Sequence, residues 1–178
     1  MDAARLPRQP VVTPMQATTD ERRAWEALET VFDPEIPQLS IVDLGIVRAV
    51  TTDGGSACAD LSPTYSGCPA VSVIELDAEV ALRAAGFSSV TINRVLSPAW
   101  TTDWITETGR ARLREAGIAP PAGAASKMAL VDPDALTVAC PRCGSTATEQ
   151  LSEFGSTACK ALYRCRDCLE PFDYFKCI

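Results

Sequence analysis

The chain of 178 residues contains no histidine. Without an imidazole, Ser–His–Asp and Cys–His nucleophile pairs are excluded, and so is any metal site that uses histidine ligands. Acid or base chemistry would therefore fall to carboxylates, lysine, tyrosine or thiolates. A positive charge balance is missing as well, since 16 basic residues face 23 acidic ones and the formal net charge is −7. This balance argues against a nucleic-acid or membrane-surface binder, because both need a positive field.

Long apolar runs are also missing, and none approaches the roughly 18–20 residues that a membrane span requires. Residues 1–18 lack the apolar stretch and cleavage site of a secretory signal, and we predict a disordered tail there. Cysteine, by contrast, is plentiful, with eight residues. In a chain without a predicted secretory signal, this number favours metal ligands or reactive thiols over disulfides.

The apolar periodicity predicts an α+β domain over residues 19–118, in the order helix, strand, strand, helix, strand, helix. Helices are predicted at 20–32, 68–85 and 101–116, and strands at 46–50, 57–61 and 90–95. Pro34 and Pro37 end the first helix, because proline cannot continue it. Residues 119–134 are rich in proline, alanine and glycine and predict a linker, followed by a second small domain at 135–178.

The second domain contains two Cys-x-x-Cys pairs, Cys140 with Cys143 and Cys165 with Cys168. Each pair can present two thiolates from a tight turn, and two such turns complete a tetrahedral four-sulfur site. So short a segment buries little core, and bound metal would therefore supply much of its folding free energy. We predict a zinc ribbon with four cysteine ligands. Mononuclear iron and an iron–sulfur cluster are alternative occupants, and two redox dithiols or unligated buried cysteines are the alternatives without a metal.

Two further thiols, Cys159 and Cys177, are close to these pairs in sequence but are not needed for a four-sulfur site. They are interpreted as small buried residues, alternative ligands or thiols that handle a transferred metal. Six basic and seven acidic residues lie between 126 and 178. The ribbon therefore lacks the positive face of a nucleic-acid binder.

Cys68 lies where a loop becomes the second predicted helix. Pro69 suits the first helical position, which would make Cys68 the N-cap and lower the pKa of its thiol. Gly67 leaves room for a ligand or partner to approach. The alternative is a cysteine buried as a small apolar residue, an interpretation that suits Cys58, in the middle of an apolar strand, far better.

Asp33 and Glu35 flank Pro34 and form a second candidate site. Carboxylates in such a loop often only cap a turn or face solvent, and neither has a histidine partner that would suggest acid–base catalysis. Asp43, between apolar residues, is interpreted as the cap of a turn.

Three motifs, at residues 32–37, 41–47 and 63–70, resemble the small α+β domain of the SufT-like iron–sulfur assembly family. With the motifs at 154–165 and 170–176, the whole chain resembles the D-protein family of bacterial phenylacetate degradation. That family is encoded beside the multicomponent phenylacetyl-CoA epoxidase.

The resemblance implies a cytoplasmic accessory protein that matures the iron–sulfur cluster of the epoxidase's reductase component, with the assembly machinery as a further partner. Cys68 would be the functional cysteine, in a site with Asp33, Glu35, Thr64 and Gly67. The four ribbon cysteines would bind zinc, and iron or an iron–sulfur cluster would be held transiently.

The chain offers no flavin, di-iron or nicotinamide site, so we interpret it as an accessory protein and not an enzyme. A structural subunit of the epoxidase complex and a thiol redox protein are the alternatives. Exposed edge strands could pair with a second copy of the chain, so a homodimer is a further expectation.

Overall fold

The structure is a computed structural model that describes residues 18–122 and 137–176. Residues 1–17 of the predicted disordered tail, most of the predicted linker and Cys177 lie outside these residues, so the domain limits stay predictions. Within the described residues, no helix is long and apolar enough to cross a membrane.

The first half of the chain has the predicted α+β order, with one additional hairpin. Its elements are α1 (Thr19–Glu29), β1 (Phe32–Asp33), β2 (Ile36–Ser40), β3 (Val47–Asp53), β4 (Ser56–Leu61), α2 (Val71–Ala84), β5 (Ser89–Arg94), a 3-10 turn (Thr102–Trp104) and α3 (Glu107–Glu115). The additional hairpin is β1–β2, and it carries the Asp33–Glu35 motif between its strands.

Strands β3, β4 and β5 form a three-stranded sheet in that order. Strand β3 pairs antiparallel with β4, whereas β4 and β5 are parallel and are joined by α2, because parallel strands need a crossover connection. Helices α1 and α2 contribute Leu28, Ile74 and Leu82 to one buried apolar core with the sheet. The loop 62–70, which carries Cys68, therefore leaves the carboxyl end of β4 and leads into α2.

All three predicted helices are too long, and the second begins at Val71 and not at Cys68. The first ends at Glu29 and not at Phe32, because the prolines that follow favour extended backbone and Phe32 begins β1 instead. The predicted helix at 101–116 is divided, because Ile105 is extended and Thr106 caps a new helix by accepting a hydrogen bond from Gly109 N at 2.9 Å.

Asp43 ties the turn after β2 to α3 and does more than cap a turn. Its carboxylate accepts hydrogen bonds from Thr106 Oγ1 and Arg112 Nη1, both at 2.7 Å. Gly45, at φ 68°, lies in the same turn, and a Cβ there would collide with the Trp104 carbonyl oxygen. Only glycine allows so close an approach at this conformation.

The second half forms the predicted small cysteine-bearing domain. Strands β7 (Thr148–Ser152), β8 (Lys160–Cys165) and β9 (Pro171–Phe175) pair antiparallel, and β6 (Ile118–Ala119) adds to β9 in parallel. The resulting sheet has the order β6-β9-β8-β7. Its own apolar core includes Val138, Tyr163, Phe172 and Tyr174.

The ribbon packs on the first half of the chain. Cys159 and Phe175 belong to the larger buried core, and the Phe175 ring centroid lies 6.0 Å from that of Trp100. The Nζ of Lys160, a buried residue, lies 3.5 Å from the Glu35 carbonyl oxygen. The loop before β8 therefore lies against the β1–β2 turn.

Candidate functional site

The four ribbon cysteines form one cluster. The Sγ atoms of Cys140, Cys143, Cys165 and Cys168 all lie within 4.8 Å of one another. Cys140 Sγ is 3.7 Å from Cys168 Sγ, and Cys143 Sγ is 3.6 Å from Cys165 Sγ. A tetrahedron with Zn–S bonds of about 2.3 Å has sulfur–sulfur edges of about 3.8 Å. The thiols therefore fit a tetrahedral metal ion such as zinc.

Two tight turns place these thiols. In the first, Gly144 N donates to Cys140 O at 2.9 Å, and Gly144 adopts the left-handed φ of 76° that closes the turn. In the second, Cys168 N donates to Cys165 Sγ at 3.5 Å, and this hydrogen bond lowers the pKa of Cys165 to about 7. A thiol that deprotonates near neutral pH is suited to metal binding.

Cys68 lies in the turn before α2, and the prediction that it is the N-cap is wrong. The N-cap is Ala70, because Val71 N donates to Cys68 O at 3.3 Å and closes a turn that precedes the helix. Cys68 is 8% exposed as a residue. The functional candidate is thus a buried cysteine.

The predicted fall in the pKa of Cys68 is also wrong. Burial raises the pKa of this thiol, because desolvation disfavours the thiolate. A hydrogen bond from Ala70 N–H lowers it in part, and the nearby Glu35 and Asp33 carboxylates raise it further. Without a cation the thiol keeps its proton at neutral pH, and a bound cation would replace that proton.

The charges of Glu35 and Asp33, the two carboxylates of the predicted site, act on this thiol and raise its pKa. The buried Asp33 carboxylate accepts hydrogen bonds from Glu35 N at 2.7 Å and Ile36 N at 3.2 Å, which fixes the β1–β2 turn. Burial raises the pKa of Asp33, and burial together with the Asp33 charge raises the pKa of Glu35. Asp33 therefore stabilises the β1–β2 turn through its side chain. The Glu35 carboxylate is half-buried, and Glu35 takes part in the described hydrogen bonds of this turn through its backbone N–H.

Thr64 and Gly67 belong to the same loop as Cys68. Thr64 is buried and Gly67 is exposed. Between them lies Tyr65, which is part of the 63–70 motif but was not assigned to the site. Burial raises the pKa of its hydroxyl, and the Cys68 charge raises it further. Cys58 alternates with the buried Ala57 and Ala59 along β4, so its side chain faces away from the core.

The ribbon contributes two residues that sequence reasoning did not assign to this site, Cys159 and Lys160. Cys159 is buried, and its Sγ lies 3.1 Å from Thr157 Oγ1. Burial raises the pKa of Cys159, the Thr157 hydrogen bond lowers it, and the Glu35 charge raises it. Lys160 Nζ lies 3.8 Å from Asp173 Oδ2 in addition to its contact with Glu35. For Lys160, the sequence signal was a lysine at the start of an apolar strand.

Comparison with known proteins separates the chain into the same two parts. A family model described as iron-sulfur cluster assembly protein matches residues 21–93, and one described as PaaD zinc beta ribbon domain matches residues 125–176. The chain is 54% identical over 154 residues to the putative D subunit of 1,2-phenylacetyl-CoA epoxidase from Escherichia coli K12, a match that covers 86% of the chain and 91% of that relative. The chain belongs to the PaaD family.

Among solved structures, a crystal structure of a domain of unknown function, DUF59, from Bacillus anthracis is similar to the first half. It is 28% identical with a TM-score of 0.51, and the match covers 57% of this chain and 97% of that one. A Mycobacterium tuberculosis protein described as associated with Fe-S complex assembly and repair is 35% identical with a TM-score of 0.35, over 61% of this chain and 96% of that one.

The PaaD assignment confirms the resemblance expected from the sequence motifs. The iron–sulfur assembly match includes Asp33, Glu35 and Cys68, and the zinc ribbon match includes all four clustered cysteines. The roles of the individual side chains stay predictions.

Proposed function

We propose that this PaaD-family chain is an accessory protein that assembles or inserts an iron–sulfur cluster in the phenylacetyl-CoA epoxidase system. Its client is the reductase component, its place is the cytoplasm, and it does not catalyse epoxidation itself. The observation that carries the proposal is the position of Cys68, a buried residue within the segment that matches iron–sulfur assembly proteins, where the charges of Glu35 and Asp33 raise the pKa of its thiol.

Cys68 suits the handling of iron because it is protonated without a cation and can exchange that proton for a metal. Thiolate is a soft ligand that binds iron, and the neighbouring Asp33 and Glu35 charges attract a cation to it. When iron binds, the Cys68 proton passes to solvent. The cargo can then leave for a client with stronger ligands, because a raised thiol pKa makes proton return favourable.

The ribbon has a different role in this proposal. Four thiolates around zinc make a closed site without an open coordination position, as in structural zinc sites. The zinc would therefore stabilise a segment too small to fold on its own apolar core. The folded ribbon would then recognise the client or complete the Cys68 site.

A structural part of the epoxidase is the second candidate, favoured by the relative's name, which calls that protein an epoxidase subunit. Helix α2 also carries an exposed apolar stripe, Val73, Leu76 and Val80, which could contact another protein. A subunit would co-purify with the active epoxidase in fixed stoichiometry, whereas an accessory protein would not.

The test is the cluster content of the reductase component isolated from cells that lack this chain. Wild type, Cys68→Ser and the control Cys58→Ser are supplied separately, and iron and acid-labile sulfide per reductase chain are measured. We expect full occupancy with wild type and Cys58→Ser, and low occupancy with Cys68→Ser at equal reductase protein level. Full occupancy with Cys68→Ser would overturn the role of this thiol.

A further inference from the structure

We propose that β5 is the surface through which two copies of this chain pair, so that their three-stranded sheets join into one continuous sheet. The sequence leaves a homodimer as an expectation, and β5 is the edge that suits it. This inference concerns a surface apart from the Cys68 site and is independent of the proposed function.

The free strand edges in the described part of the chain differ in their protection against pairing. Proteins protect a free edge with short strands, proline or β-bulges, because its unpaired N–H and C=O groups can bind a further strand. Strands β1 and β6 have two residues each, and β2 contains Pro37. The ladders that β3 and β7 form each contain a register shift. Strand β5 has none of these protective features.

Strand β5 is regular along its whole length. All its residues, Ser89–Arg94, pair with β4 without a register shift, and β5 is the last strand of its sheet. Val90, Thr91 and Ile92 at its centre are β-branched, and such residues favour strands. Within residues 18–122 and 137–176, no strand pairs with the other side of β5. A regular, unprotected edge of this kind is a template for another strand.

The side chains of β5 favour one self-complementary register. A two-fold axis through the sheet brings residues of the same face opposite each other, because side chains alternate between the faces. With the axis at Thr91, Val90 would lie opposite Ile92 of the second copy, on the face that packs against the core. Ser89 would lie opposite Asn93 on the open face. Apolar residues then pair with apolar ones and polar with polar, which favours a second copy of this chain as the partner.

The β5 edge is also locally neutral, although the chain has a formal net charge of −7. The one charged residue of β5 is Arg94, at the end of the strand. The Glu75 carboxylate accepts hydrogen bonds from Arg94 Nε and Nη2, both at 2.7 Å. Arg83 and Glu79 of α2 form an ion pair with each other at 2.7 Å. Two acidic chains can therefore approach along β5 without unpaired like charges opposite each other.

The two loops that carry Cys68 would lie at opposite ends of the joined sheet. Loop 62–70 leaves the carboxyl end of β4, which is parallel to β5, whereas the two copies of β5 would be antiparallel. The pairing would therefore leave one Cys68 loop at each end of the dimer. One pair of short strands is a small interface, and small interfaces are typical of weak complexes. We therefore expect a dimer that dissociates on dilution.

Sedimentation equilibrium of the full chain with zinc bound, over a range of concentrations, measures the pairing of these 19.0 kDa chains. We expect wild type to dimerise reversibly. Thr91 is exposed, so Thr91→Lys should leave the monomer folded and place two ammonium groups beside the axis. Its dissociation constant should rise at least about tenfold, because like charges opposite each other at an interface repel. Thr51→Lys is the matched control, since Thr51 is exposed on the same face but lies in β3.

A charge exchange across the axis completes the test. Thr91→Glu alone should pair as weakly as Thr91→Lys, whereas an equal mixture of the two variants should dimerise, because the axis then joins opposite charges. A mixture that does not pair would overturn the inference. A wild-type chain that stays monomeric at every concentration would overturn it as well. So would a Thr91→Lys dimer as tight as that of Thr51→Lys, because the contact would then lie elsewhere on the chain.

Discussion

Phe175→Ala should destabilise the first half of the chain, although Phe175 lies in the last strand of the ribbon. Its side chain is 1% exposed, belongs to the larger core and contacts the Trp100 ring at 6.0 Å. Removing a buried phenylalanine side chain costs about 3–5 kcal/mol, from lost transfer free energy and the cavity left behind. At about 2–4 °C per kcal/mol for a chain of this size, Tm should fall by roughly 6–20 °C.

Tryptophan fluorescence can measure this effect in the first half alone. All three tryptophans, Trp25, Trp100 and Trp104, precede the ribbon. A thermal melt followed by tryptophan emission therefore reports the unfolding of the first half, even when the substitution is in the ribbon. Phe154→Ala is the matched control, since Phe154 is 59% exposed and its ring contacts only the Lys176 ammonium at 4.4 Å among the contacts described. The Phe154→Ala substitution should lower the free energy of unfolding by no more than about 1 kcal/mol.

Equal Tm values for Phe175→Ala and Phe154→Ala, measured by tryptophan fluorescence, would refute the packing of the ribbon on the first half. A selective fall for Phe175→Ala, with zinc still bound, is the result we expect.

Three further predictions concern the thiols, the metal and one turn. Iodoacetamide should label Cys68 more slowly than a free cysteine peptide at pH 7, because burial raises its pKa above the ordinary value of 9.0; faster labelling, measured by mass spectrometry, would contradict this. The native Cys68 thiol keeps its proton to a higher pH than the unfolded one does. Its contribution to the free energy of unfolding is therefore complete below about pH 9 and is lost as the pH rises through the native pKa. A chelator that removes zinc should abolish hydrogen-exchange protection in β7–β9 and leave α1 and α2 protected, since structural zinc binding is worth about 10–16 kcal/mol; retained protection would argue against a metal-dependent ribbon. In urea unfolding, Gly45→Ala should cost more than Gly54→Ala, because both have positive φ but only the Cβ at position 45 meets another residue; equal costs would refute the clash.

The sequence revealed those parts of the site whose partners are close together along the chain. Cys-x-x-Cys spacing is a local pattern, so the four-thiol cluster could be predicted from spacing alone. Cys68 could also be chosen from its loop, but its pKa could not, because the sign depends on burial and on carboxylates more than thirty positions away. The rule that favours proline at the first helical position misplaced the start of α2, because a turn closed by Val71 N and Cys68 O precedes the helix.

Cys159 shows more clearly which features one sequence cannot predict. Its sequence neighbours suggest a spare thiol of the ribbon, and ninety-one positions separate it from Cys68. Only the pairing of the ribbon strands, the tight loop at Gly155 and the docking of Lys160 on the β1–β2 turn bring it to the first half. Such contacts are tertiary, and no periodicity or spacing in one sequence encodes them.

The most direct test of the central claim is phenylacetyl-CoA epoxidation by purified components whose reductase already contains its full cluster. The rate is measured without this chain and with increasing amounts of it. An accessory maturation factor predicts the same rate at every amount, because its work is complete once the cluster is in place. A rate that rises in proportion to the chain and saturates at a fixed stoichiometry would contradict the claim and would identify this chain as part of the working enzyme.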